Sequence, residues 1–208
     1  MFGILVFGDS IAFGRGESPR IGWTGRLKKY FEVQAFHNCL YNLAISGDSS
    51  TKLLKRFETE VKSRVKYDHP KDKFIILISV GLNDSRGLGS LNKLETKPDK
   101  FKNNILKLIK IAKKYTKQVV IVGLTPIDES ITNPFENTYL INNRIQKYDE
   151  ILKKSAQKNK IHYVNLFNII SKLNYKKLLI DGIHPNKQGY EKIYKIIKDF
   201  LVRKKLIK

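Results

Sequence analysis

Cysteine occurs once in the 208 residues, as Cys39. An internal disulfide is therefore impossible, and a cysteine-built metal centre lacks its ligands. Long apolar runs are missing too. Runs such as residues 74–78 fall far short of the ~20 residues of a membrane-spanning helix. Glycine and proline are sparse, at 13 and 6 residues, and charged residues make up 28%. That balance excludes collagen-like, low-complexity and disordered chains. Acidic residues are outnumbered, 19 against 40 basic, for a formal net charge of +21.

Such a charge invites a nucleic-acid or acidic-membrane reading. It grows along the chain: residues 151–208 hold fifteen basic and three acidic residues. Arginine, the residue that reads bases and grips phosphates bidentately, is scarce, at eight against 32 lysines. Isoleucine and asparagine are abundant, at 25 and 15, and alanine occurs five times. Lys, Ile and Asn share AT-rich codons, so the charge reads first as a coding habit. No specific nucleic-acid partner is expected, although weak attraction to polyanions follows from charge alone.

What is present suits one filled domain over residues 1–208, with 41% hydrophobic residues. Residues 1–8 carry no basic residue and read as a first buried strand rather than a leader. The expectation is a cytoplasmic protein.

Five short apolar runs alternate with amphipathic stretches. The runs are residues 3–8, 39–45, 73–80, 118–124 and 161–166. The helical patterns are residues 21–32, 50–65, 98–115, 139–159 and 186–204. Strands apolar on both faces, separated by helices, predict a parallel sheet covered on both sides. The expected fold is α/β: a flavodoxin-like three-layer α/β/α sandwich with a five-stranded parallel sheet of order 2-1-3-4-5. Ligands in such folds bind beyond the carboxyl ends of the strands.

The residues just past the strands are therefore the ones to read. They are Gly8-Asp9-Ser10, Ser46-Gly47-Asp48 and Gly81-Leu82-Asn83-Asp84, with Asp181-Gly182-Ile183-His184-Pro185 before the last helix. An activated serine needs a base within hydrogen-bond reach and a group to orient that base. His184 can be the base for Ser10, and Asp181 can hold its other ring nitrogen. Acyl transfer also needs donors for the developing oxyanion. The Ser10 N–H, the Gly47 N–H and the Asn83 side-chain amide are the candidates.

Alone, each residue has a plainer reading. Ser10 suits a helix N-cap, and Gly47 or Asn83 a turn. Asp9 and Asp84 read as acceptors of loop N–H groups, and Asp48 as a helix-start residue. His37, His69 and His162 lack motif context, and His69 sits in a turn-like Asp68-His69-Pro70. No histidine pair has metal-ligand spacing, so no metal is assigned. Cys39 reads as a small buried hydrophobe. Trp23 reads as core, with a possible reach to a pocket rim. Arg15 and Arg86 read as loop charges that an anionic substrate could meet. The loop 125–138 is expected to shape the pocket through Pro126, Asp128, Glu129, Asn133 and Pro134.

Taken together and in order, the blocks resemble the SGNH hydrolases, or GDSL esterase/lipase family. The blocks are Val6-Phe7-Gly8-Asp9-Ser10-Ile11, Asn42 to Ser50, Gly81-Leu82-Asn83-Asp84 and Asp181-Gly182-Ile183-His184-Pro185. Ile11 stands where the family usually has leucine. The later blocks look most like the small thioesterase/lysophospholipase-like members. The resemblance implies Ser10 as nucleophile, His184 as base, Asp181 as its orienting acid, and an oxyanion hole of Ser10, Gly47 and Asn83. It implies no metal or organic cofactor and a small acyl ester or thioester as substrate. A carbohydrate O-acetyl esterase is the alternative, and a polyanion-binding protein on a retained hydrolase fold is a further rival.

Overall fold

In the computed structural model, residues 2–65 and 73–208 are described. The turn expected around His69 lies outside them. The chain runs β1 (Phe2–Gly8), α1 (Ser10–Phe13), α2 (Gly22–Glu32), β2 (Asn38–Asn42), α3 (Ser50–Lys62) and β3 (Lys73–Ser79). It continues through β4 (Gly87–Leu88), α4 (Pro98–Tyr115), β5 (Gln118–Val122), β6 (Thr138–Tyr139), α5 (Asn142–Lys158), β7 (His162–Val164), α6 (Leu166–Ser171), a 3₁₀ turn (Tyr175–Leu178) and α7 (Lys187–Arg203).

Five strands form one parallel sheet in the order β2-β1-β3-β5-β7, and β4 pairs antiparallel with β6 apart from it. The expected order is therefore found. The two most apolar runs lie side by side at its centre: Phe2 stands opposite Lys73, and the register runs to Gly8 opposite Ser79. Ile4, Leu5, Val6 and Phe7, like Ile75 to Ile78, have no exposed surface. Alternate side chains of a strand point to opposite faces, so burial of consecutive residues requires cover on both. One cover is α2 packed on α7; the other is α3, α4 and α5 packed in series.

Helix α4 shows how the sequence builds that cover. Pro98 occupies the first turn, where its missing N–H costs nothing. Phe101, Ile105, Leu108, Ile109 and Ala112 recur at helical spacing and are all fully buried. Asp99 in the first turn and Lys113 and Lys114 in the last oppose the helix dipole.

The differences from expectation sit at the edges. Strand β2 ends at Asn42 rather than at residue 45. The Leu43 and Ile45 N–H groups still donate to the Val6 and Gly8 carbonyls, at 2.8 and 3.1 Å, so the chain stays beside β1 while leaving regular strand geometry. Cys39, on this edge strand, is half-buried rather than buried. The short α1, α6, β4 and β6 were not expected; elements of two to six residues carry too little periodicity to be read.

Candidate active site

The site is built where β1 stops. Asp9 is the N-cap of α1, its Oδ1 accepting the Ile11 N–H at 3.0 Å. Ser10 is the first helical residue and not the cap that the serine alone would suggest. Gly8 is required because α1 presses back on the sheet. A Cβ there would lie 2.5 Å from the Ala12 Cβ and 2.7 Å from the Ser79 carbonyl oxygen. Burial pushes the Asp9 carboxyl up to about 7, helped by the nearby Asp84 and Asp48 charges and opposed by the Ile11 hydrogen bond.

The segment before α7 brings the histidine. Asp181 Oδ1 accepts the N–H groups of Ile183 and His184, at 3.0 and 2.7 Å. That local turn aims the imidazole. His184 Nδ1 lies 2.7 Å from Asp181 Oδ2, and His184 Nε2 lies 2.9 Å from Ser10 Oγ. Burial alone would raise the Asp181 pKa, but the hydrogen bonds from the His184 ring and backbone outweigh it and hold the carboxyl at about 2. Ser10 and His184 are both nearly buried, at 6% and 5% exposure. The three residues are thus joined in a line over 174 positions of sequence.

The flanking loops bring the candidate donors. Gly47 has φ +83, and a Cβ there would meet nothing within 4 Å, so its backbone faces open space. Asn83 Nδ2 donates one hydrogen to the Asp48 carbonyl at 2.9 Å, which orients the amide and leaves a second hydrogen. Among the described residues, neither the Ser10 nor the Gly47 N–H has a protein acceptor.

Behind Asn83, Asp84 is fully buried. Its Oδ2 accepts the Ser50 N–H at 2.8 Å and its Oδ1 the Ser50 hydroxyl at 2.5 Å. Asn104 donates to the same hydroxyl at 3.0 Å, so one network ties the Asn83 loop to α3 and α4. Asp9 and Asp84 are structural acceptors, but of N–H groups in the first turns of α1 and α3 rather than of the loop N–H groups expected. Asp48 is not a helix cap; its carboxylate pairs with Arg56 at 2.6 Å.

A cavity of about 200 Å³ opens over Ser10 and His184. Its wall holds Arg15, Ser46, Gly47, Leu82, Asn83, Arg86, Phe135, Glu136, Thr138, Leu140 and Ile183. The loop 125–138 does shape it, but through Phe135, Glu136 and Thr138 rather than the five residues singled out. Pairing of residues 87–88 with 138–139 turns that stretch inward, and so short a pairing has no sequence signature. Trp23 is fully buried and does not line this cavity. Among the described residues, no cluster of three or more His, Cys, Asp or Glu could hold a metal ion, and no helix is long and apolar enough to cross a membrane.

The model of the GDSL-like lipase/acylhydrolase family matches residues 6–192. A comparison of the sequence with curated proteins gives no match. Among solved structures, a lipase/acylhydrolase from Enterococcus faecalis superposes with a TM-score of 0.74 at 18% identity, covering 100% of this chain and 98% of that one. The acetyl xylan esterase AlAXEase gives 0.75 at 21% identity, covering 96% and 99%. TesA gives 0.72 at 20% identity, covering 96% and 97%. At these identities the likeness shows a shared fold.

Proposed function

We propose an assignment of roles on the premise that this chain belongs to the GDSL-like lipase/acylhydrolase family and is a serine hydrolase of ester bonds. Ser10 is the nucleophile, His184 the general base and Asp181 the group that orients it. The observation that carries this is the unbroken line Ser10 Oγ–His184 Nε2 at 2.9 Å and His184 Nδ1–Asp181 Oδ2 at 2.7 Å.

As Ser10 Oγ bonds to the acyl carbon, its proton passes to His184 Nε2. The imidazolium that forms faces the ionised Asp181 carboxylate, which stays charged because its pKa is held at about 2. Charge develops on the carbonyl oxygen, to which the Ser10 N–H, the Gly47 N–H and the second Asn83 amide hydrogen donate. His184 then gives its proton to the departing oxygen or sulfur, and the acyl group remains on Ser10. A water, deprotonated by His184, attacks the acyl-enzyme and frees the acid.

The cavity is small. Pockets for drug-sized ligands run to roughly 300–1,000 Å³, against about 200 Å³ here. That favours short acyl groups, and with them the second reading, an O-acetyl esterase acting on a carbohydrate or other small molecule. A panel of 4-nitrophenyl esters from acetyl to decanoyl, an acyl thioester and acetylated sugars tests the choice. The expected result is the highest kcat/KM at two to four acyl carbons (about four as an upper bound). A maximum at decanoyl would reject the short-acyl reading and leave the serine hydrolase in place.

We also take the chain to be one catalytic domain, since one buried core runs from Ile4 to Ile207. A cytoplasmic site of action fits its single cysteine and is tested by cell fractionation.

A further inference from the structure

Of the eight arginines in the chain, seven have a partner. Arg26 pairs with Glu17 and Glu191, Arg56 with Asp48, Arg64 with Glu60 and Arg86 with Glu95. Arg144 donates to the Leu91 and Tyr139 carbonyls. Arg20 lies over the Phe13 ring and Arg203 over Phe200. Arg15 has no side-chain partner among the described residues. It is exposed, and it lines the cavity over Ser10.

Its backbone, by contrast, is held at both ends. The Arg15 N–H donates to the Ser10 carbonyl at 2.9 Å, and the Arg15 carbonyl accepts the hydroxyl of Tyr190 at 2.5 Å. The next residue, Gly16, lies against the histidine: a Cβ there would be 2.9 Å from the His184 Cβ. Arg15 is thus anchored on the His184 side of the cavity. His184 protonates the leaving group, so the alcohol or thiol departs on that side.

No other charge of the wall forms an ion pair with it among the described residues. Arg86 is neutralised by Glu95 at 2.5 Å. Glu136 belongs to the stretch held to residues 87–89, where the Gly89 N–H donates to the Asn137 carbonyl at 2.9 Å, on the Asn83–Arg86 side. The leaving-group side therefore carries a guanidinium with no ion-pair partner, since the Asp181 carboxylate there is bonded to His184, in a protein of net charge +21 that attracts anions from a distance. A guanidinium presents a planar fork of donors that fits a carboxylate or a phosphate.

We propose that Arg15 binds an anionic group, carboxylate or phosphate, on the alcohol or thiol half of the substrate, so that this site prefers esters of anionic leaving groups. The proposal rests on Ser10 and His184 having the roles given above. It makes Arg15 a specificity residue.

The test compares phenol release from 4-acetoxybenzoate, its neutral methyl ester and 4-acetoxyphenyl phosphate, by the wild type, Arg15→Gln and Arg15→Lys. The neutral member of the carboxylate pair has the better leaving group, so a preference for the anion cannot come from intrinsic reactivity. In the wild type, kcat/KM is expected to favour at least one anion by about 10-fold at low salt. The larger of the two ratios tells carboxylate from phosphate. Arg15→Gln brings the ratio to about 1, Arg15→Lys keeps part of it, and about 0.5 M NaCl reduces it in the wild type. A wild type with no preference overturns the proposal. So does a preference that survives Arg15→Gln, or a variant that slows neutral and anionic esters alike. Turnover of the neutral ester that is abolished by Ser10→Ala shows the underlying reading to stand in any of those cases. No turnover of any of the three esters would remove both.

Discussion

Asp9 sits beside the nucleophile, 3% exposed, with its pKa pushed from 3.8 up to about 7 chiefly by burial. Folding therefore favours its protonated form. Stability from this group is complete below the unfolded pKa and is lost as pH rises through the folded one. Between about pH 4 and pH 7 the loss approaches 1.4 kcal/mol per unit, on the order of 4 kcal/mol in all. For a chain of this length that is a fall of roughly 10 °C in Tm. Asp9→Asn replaces the carboxyl with a neutral group of the same shape, whose carbonyl still accepts the Ile11 N–H. Its Tm should lack this component. Thermal unfolding of both proteins from pH 4 to pH 8, followed by circular dichroism, isolates the effect in the difference. The variant should gain on the wild type as pH rises, most steeply between pH 5 and 7. A difference that stays constant across the range would refute the reasoning and show that Asp9 folds as a carboxylate.

Asn83→Ala should lower kcat by about 10²–10³ while changing Tm little, since among the described residues the amide bonds one protein carbonyl; unchanged steady-state kinetics would exclude it from the oxyanion site. Asp84→Ala removes the acceptor of two Ser50 donors in a fully buried network and should cost roughly 3 kcal/mol in urea unfolding. The Asp181 pKa is lowered to about 2, so its contribution to stability is present above the unfolded value of 3.8 and is lost as pH falls toward 2. Asp181→Asn should therefore be less stable than the wild type near neutrality, with the gap in urea midpoints closing below about pH 4.

The central strands and the long helices were legible because their signals are redundant. Residues 74–78 are apolar in succession, and α4 repeats its stripe over 18 residues. The strand-end rule makes Ser10, Gly47 and Asn83 neighbours, and all three line one cavity. The link between Ser10 and His184 spans nearly the whole chain, and only the motifs pointed to it. Edges read less well. Among the described residues strand β2 has a neighbour on one side only, so its end is set by where the Asn42 side chain bonds, to the Ala12 carbonyl and the Ala44 N–H. The far wall of the cavity escaped because Phe135, Glu136 and Thr138 are placed by a two-residue pairing with no periodicity. Arg15 read as a loop charge because no sequence shows that every other arginine is already engaged.

The most direct test of the account is labelling with a fluorophosphonate, which bonds only to an activated serine. The wild type should take up one probe per chain at Ser10, located by peptide mass spectrometry. Ser10→Ala should take up none, and His184→Ala should react slower by a factor on the order of 10³ or more. Labelling that persists in Ser10→Ala, or equal rates for wild type and His184→Ala, would contradict the claim that this serine and this histidine act together.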